Sequence, residues 1–264
     1  TVEHVYETLE KIAHATGEGA QDVKIRNLSG LLNNASPKEA RYLVRMVTGR
    51  LRLGIADMTV LDALAIAFGG GKEFREEVER AYNLSSDLGY VAKVIAEQGL
   101  EGIRNFRVTV GRPIRPMLAE RLTSPQEILE KVGGKAIVEF KYDGLRIQAH
   151  LTPDQAWLFS RRLENLTNQF PDVVEGLREA LKCKEAIVEG ECVAIDPNTG
   201  EMLPFQMIAH RRGRKYGIEE MVEEIPVTVF LFDVLYVDGQ DFTVRPFLER
   251  RKALEEIVEP TERI

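Results

Sequence analysis

The sequence predicts an all-α domain followed by an α+β domain built on antiparallel sheets, and three observations predict it. The first hundred or so residues carry helix caps and apolar residues at helical spacing. Near Val108 the texture changes to Val110-Gly111-Arg112-Pro113-Ile114-Arg115-Pro116-Met117, with proline and glycine in place of helix formers. From Lys135 onward, β-branched and aromatic runs separated by turn residues dominate. Helices first and hairpin-linked strands afterwards indicate two domains, 1–109 and 110–264. A chain of 264 residues is long enough for each to bury its own core.

In the first domain, Ser36-Pro37-Lys38-Glu39 is a capping box with proline at the first helical position, followed by Leu43, Val44 and Val47 at helical spacing and stopped by Gly49. Thr59-Val60-Leu61-Asp62 opens another helix through Ala67, ended by Gly69-Gly70-Gly71. Helices are also expected over 72–82 and 86–97, the latter with Val91, Val94 and Ile95 on one side. In the second domain, Ser124-Pro125-Gln126-Glu127 caps one short helix. Strands are expected at 136–140, 145–149, 156–160, 185–195 and 226–237, with helices at 172–181 and 246–258.

Composition excludes several classes. No apolar run approaches the roughly 18 residues a membrane helix needs, and no signal-peptide pattern is present, so the expectation is a protein of the cell interior with no membrane contact. Cys183 and Cys192 are too few for a disulfide framework or a four-ligand zinc site and read as buried thiols. A net charge of -7 argues against bulk attraction to nucleic acid, so local distribution decides. Lys38, Arg41, Arg45, Arg50 and Arg52 face only Glu39 within 38–52, and His210-Arg211-Arg212-Gly213-Arg214-Lys215 forms a second basic cluster. Either could meet phosphates; either could be a solvated face.

The most informative run is Glu139-Phe140-Lys141-Tyr142-Asp143-Gly144-Leu145-Arg146. Asp143-Gly144 between two strand-like flanks reads as a two-residue hairpin, which sets Lys141 opposite Arg146 and Glu139 opposite Gln148 on one face. A neighbouring cation favours the free amine, which is the nucleophilic form of lysine.

Three further runs accompany it: Phe159-Ser160-Arg161-Arg162 after a strand, Val188-Glu189-Gly190-Glu191-Cys192-Val193 with two carboxylates on one face, and Phe230-Leu231-Phe232-Asp233-Val234-Leu235-Tyr236. In this order and spacing they resemble the ATP-dependent DNA ligases of the archaeal and eukaryotic replicative type. Lys141 matches the motif I nucleophile, Arg161 motif Ia, Glu191 motif III and Phe232 motif IIIa. Pro116-Met117-Leu118-Ala119, Pro204-Phe205-Gln206 and Gly49-Arg50-Leu51-Arg52-Leu53-Gly54 extend the likeness over nearly the whole chain.

The resemblance implies a helical DNA-binding domain followed by a nucleotidyltransferase (adenylation) domain, with ATP and Mg²⁺ as cofactors. It implies nicked duplex DNA as substrate, a sliding clamp as partner, and a monomer. Lys141 would carry AMP; Glu139 would lie beside the adenine. Arg146 and Arg161 would contact ribose and phosphate, Glu191 the ribose or Mg²⁺, and Phe232 would stack on adenine. Arg50 and Arg52 would grip DNA phosphates. A one-residue register slip would exchange Phe232 with core-facing Leu231, Arg162 reads as a solvated strand end, and Asp143 as a turn former. Motifs IV to VI and an OB-fold are not found after Arg263-Ile264, so the expectation is an incomplete ligase that seals nicks poorly alone. The competing readings are an RNA ligase or mRNA capping enzyme, an NAD⁺-dependent ligase, and a DNA-binding module fused to a decayed nucleotide fold.

Overall fold

The structure, a computed structural model, describes residues 1–214 and 216–264; Lys215, the last member of the second basic cluster, lies outside them. The chain divides into two compact units, Thr1–Val60 and Leu61–Ile264.

The first unit holds α1 (Val2–His14), α2 (Ala20–Asn33) and α3 (Pro37–Val47). The capping box forms as the sequence predicts. Glu39 N–H donates to Ser36 Oγ at 3.3 Å, and Ser36 N–H donates to Glu39 Oε2 at 2.8 Å. These bonds from Ser36 hold the Glu39 carboxyl below the usual carboxylate range. Of the apolar stripe on α3, Leu43 is buried while Val44 and Val47 stay about half exposed, at 46% and 47%.

α4 (Asp57–Leu64) straddles the division and runs on as a π-helical turn to Gly69, where Gly70 at φ 95° ends it. In the second unit, α5 (Arg75–Ser85) follows a 3₁₀ turn and packs on α6 (Leu88–Arg104), which Asp87 caps. Val91, Val94 and Ile95 are buried, as the spacing predicts. The helix continues past the expected end at Glu97 because Gly99, at φ 64° and ψ -157°, kinks it instead of stopping it.

After α7 (Pro125–Lys131) comes a five-stranded antiparallel sheet, with order β2-β1-β3-β4-β5. Its strands are β1 (Leu145–Leu151), β2 (Ala156–Ser160), β3 (Ala186–Ala194), β4 (Val227–Val237) and β5 (Gln240–Asp241). Between and after them lie α8 (Pro171–Ala180), α9 (Phe205–Arg212), α10 (Ile218–Glu224) and α11 (Phe247–Ile257). The alternating side-chain period sorts the strands into two faces. Leu145, Ile147, Ala149 and Leu151 of β1, with Ala186, Val188, Cys192 and Ala194 of β3, enter one hydrophobic core shared with Val173, Leu177, Ile208, Met221 and Leu254 from the four helices. Arg146, Gln148, His150, Glu189 and Glu191 occupy alternate positions, and so the opposite face.

β4 breaks the period twice. Glu189 pairs with Asp233 but Gly190 with Leu231, and Ile187 pairs with Tyr236 but Val188 with Val234. Phe232 and Leu235 are therefore bulged residues. The core-contacting positions of β4 are Val227, Val229, Leu231, Val234 and Val237, so the step widens from two to three at each bulge.

Arg211 of α9 is fully buried. It donates to both carboxylate oxygens of Asp172, to Gln169 O at 3.0 Å and to Ile225 O at 3.4 Å, with its guanidinium over the Phe170 ring. The second basic cluster is thus not one phosphate-facing patch: its most buried member ties α9 to the start of α8.

The predicted hairpin does not form. Residues 136–140 make no strand, and β1 pairs through Leu145↔Cys192 with β3 and through Ile147↔Ser160 with β2. Both edges of β1 are taken. Gly144 answers to close approach rather than to a turn, since a Cβ there would lie 2.4 Å from Cys192 O on β3. Lys141 is consequently not opposite Arg146; Arg146 sits opposite Glu191.

Candidate nucleotide site

The face of the sheet away from the core carries the polar residues the sequence singled out. β1 presents Arg146, β3 presents Glu191, the bulge of β4 presents Phe232, and the turn after β2 presents exposed Arg161. That turn closes through Ser160 N–H to Glu164 O at 2.9 Å, with Leu163 at φ 64°. The extended segment ahead of β1 delivers exposed Glu139 and Lys141. All six, with Pro116–Ala119, line one cleft of about 1810 Å³.

Arg146 is tethered within this cleft. Its Nη2 donates to Glu189 Oε2 at 2.6 Å, and its guanidinium lies 4.4 Å from the centroid of the Phe232 ring. One face of that ring is therefore covered. Arg146 Nε is buried and has no hydrogen-bond partner among the described residues. A buried donor left open is costly unless an acceptor arrives, which suits a ligand oxygen. Burial pushes the half-buried Glu191 carboxyl upward, and the charges of Arg146 and Lys141 together with a bond from the Gly144 backbone oppose it. Lys141 is thus electrostatically coupled to Glu191 without being opposite Arg146. Beyond the strands, Arg212 and Ser160 bond Glu164 and hold its carboxyl below the usual range.

The structure gives contacts to residues that the sequence reading left without a role or, for Asp143, with a different one. Glu189 is the partner of Arg146; it was visible as the second carboxylate on the Glu191 face, but strand alternation alone does not say which cation it meets. Gln148 bonds Glu189 from β1, at 3.0 Å from Nε2 to Oε1. Tyr142 stacks on Phe230 at 4.3 Å between ring centroids. Asp143 shapes no hairpin turn; its Oδ2 accepts the Phe205 N–H at 3.2 Å, at the start of α9.

No group of three or more His, Cys, Asp or Glu side chains that could hold a metal ion occurs among the described residues. One half-buried carboxylate, Glu191, in a cleft it shares with Lys141, Arg146 and Arg161 still fits Mg²⁺, which commonly takes one or two carboxylates and completes its shell with water and substrate phosphate. Arg50 and Arg52 belong to the first unit and are exposed in the irregular segment after α3. Gly49 at φ 66° and Gly54 at φ 72° bracket that segment, and Arg52 itself sits at φ 55°. No helix among the described residues is long and apolar enough to cross a membrane.

Comparison with known proteins places this architecture. A family model described as "DNA ligase N terminus" matches residues 1–65, and one described as "ATP dependent DNA ligase domain" matches residues 116–264. A DNA ligase of Staphylothermus marinus is 59% identical over 262 residues, covering 99% of this chain and 44% of that protein. A DNA ligase of Acidianus ambivalens is 59% identical over 259 residues, and one of Saccharolobus solfataricus 57% identical over 262, each with 43% of its own length covered. The chain spans less than half the length of these relatives. Since a single ligase model matches the whole sheet-bearing region and alignments at 57–59% identity cover nearly the whole chain, the chain belongs to the ATP-dependent DNA ligase family.

Proposed function

We propose that this chain carries the DNA-gripping and nucleotide-transferring part of an ATP-dependent DNA ligase, with 1–109 as the helical DNA-binding domain and 110–264 as the adenylation domain. One observation supports the reading above others: Glu139, Lys141, Arg146, Arg161, Glu191 and Phe232 line a single cleft although they come from four separate stretches of chain.

The Lys141 amine attacks the α-phosphorus of ATP, forming a P–N bond as the P–O bond to pyrophosphate breaks and the amine gives up a proton. Arg146 and Arg161 supply planar donors to ribose and phosphate oxygens. Phe232 offers adenine the ring face that Arg146 leaves open, and Glu139 sits beside the base. Glu191 holds the ribose or Mg²⁺; when bound, the ion supplies charge neutralisation at phosphate. In the next step a 5′-phosphate oxygen at a DNA nick takes the AMP while Lys141 leaves with a proton on its nitrogen. The 3′-hydroxyl then displaces AMP and closes the strand. Positioning and charge neutralisation provide most of the catalysis in such displacements.

Incubation with ATP labelled in the α-phosphate, plus Mg²⁺, tests the reading. The expected result is an acid-labile protein adduct of AMP mass on Lys141, lost in Lys141→Ala. A labelled adduct that persists in Lys141→Ala, or none in the unmodified protein, would overturn it.

A further inference from the structure

A chain of polar contacts runs across the outer face of the sheet and ends at the cleft. It begins at Gly111, whose N–H donates to His150 Nδ1 at 3.0 Å. Burial holds the His150 imidazole neutral, its pKa pushed down to about 3. With Nδ1 accepting, the proton sits on Nε2, which donates to Gln148 Oε1 at 2.9 Å. The same oxygen accepts the Ile114 N–H at 2.7 Å. Gln148 Nε2 donates both to Ile114 O at 3.0 Å and to Glu189 Oε1 at 3.0 Å. Glu189 Oε2 then takes the Arg146 guanidinium at 2.6 Å.

The side chains that link Gly111 to Arg146 are buried: His150 is 0% exposed, Gln148 5% and Glu189 8%. The amide of Gln148 is fixed in orientation because two donors meet its oxygen and two acceptors meet its nitrogen. Glutamate would set a second carboxylate against Glu189 and the Ile114 carbonyl, and leucine would leave Glu189 and the Ile114 backbone short of partners. The peptide that Gln148 reads is itself held on its other side, where Arg115 N–H donates to Asn83 O at 2.9 Å and Ser86 Oγ to Pro113 O at 2.6 Å. Gly111, at φ 88°, passes so close to Trp157 that a Cβ would meet its ring at 3.3 Å.

We propose that Gln148 is a positioning residue for the nucleotide site: by holding Glu189 in place it fixes where the Arg146 guanidinium points, and it ties that aim to the Gly111–Ile114 peptide. This rests on the reading of Arg146 as a nucleotide contact. A merely structural glutamine would stabilise the crossing peptide without touching nucleotide affinity.

The test measures the rate of AMP adduct formation against ATP concentration, with thermal unfolding alongside. Loss of a hydrogen bond to a charged group predicts a KM for ATP raised about tenfold in Gln148→Leu, with a smaller change in the rate at saturating ATP. In an Arg146→Lys background, where no planar guanidinium is left to aim, the same substitution should raise KM by less than about twofold. An unchanged KM in Gln148→Leu, or a rise that persists in full beside Arg146→Lys, would overturn the proposal. Should Gln148→Leu not fold, Glu189→Gln, which keeps size and loses the charge, decides by the same two comparisons. Complete absence of an adduct in the unmodified protein is a separate result that removes the ligase reading and this inference with it.

Discussion

At the residue scale, two side chains are decided by what already surrounds them. Gly144 has no room for a methyl group, since its Cβ would approach Cys192 O to 2.4 Å and Glu191 Cγ to 3.0 Å. Gly144→Ala must push β1 from β3 beside Glu191, and a loss of about 1–3 kcal/mol in stability, of the size seen for overpacking, should appear in chemical denaturation. His150 titrates in the opposite sense from a paired histidine. Its folded pKa of about 3 lies below the ordinary 6.5, so between those values the unfolded chain binds a proton that the folded chain refuses. Its stability contribution is therefore complete above about pH 6.5 and is lost as pH falls toward 3, with a slope of up to about 1.4 kcal/mol per pH unit. Stability measured across that range should have a shallower acid limb in His150→Gln than in the unmodified protein.

At the scale of elements, the anchor between α8 and α9 is a buried ion pair, and its two halves are not equally dispensable. Asp172→Ala strands a guanidinium that is 0% exposed, which predicts a loss of about 3–5 kcal/mol in denaturant unfolding. Replacing both partners by apolar side chains, Asp172→Leu with Arg211→Met, should recover most of it. Neither effect was legible in the sequence, where Arg211 stood in a basic run and its partner 39 residues earlier looked like an ordinary first-turn acid. Elements with local signals were legible: the Ser36 capping box, β2 at Ala156–Ser160, and β3 and β4 each within one residue of their expected bounds. The segment before β1 was not. Its alternating residues fit a strand, but strand formation needs a partner edge, and β2 and β3 occupy both edges of β1. The lysine position and its cleft companions were readable through the resemblance of their motifs to the ligases; the Gln148–Glu189–Arg146 tether was not, because it depends on cross-strand register.

At the scale of the whole molecule, the proposed function divides DNA contact and nucleotide chemistry along the chain. The protein is acidic overall at -7, yet Arg50 and Arg52 project from a short irregular segment bracketed by two glycines of positive φ. If both contact phosphates, Arg50→Glu with Arg52→Glu should weaken binding to nicked duplex DNA and flatten the log–log salt slope by about 2 units. Formation of the Lys141 adduct should be nearly unaffected. A collapse of adduct formation equal to the loss of DNA binding would contradict the division of labour.

The bulges of β4 carry a last consequence. Phe232 is supernumerary: it faces no partner in the register with β3, and the residues on either side already satisfy both the core and the pairing. A one-residue excision at Phe232 would remove that bulge and leave the one at Leu235, with Leu231 and Val234 still inward. The aromatic surface proposed to meet a base is thus an extra residue between positions that already make the pairing and the core contacts. Under the proposed function, ligand contact and strand pairing can be edited separately at this point of the chain.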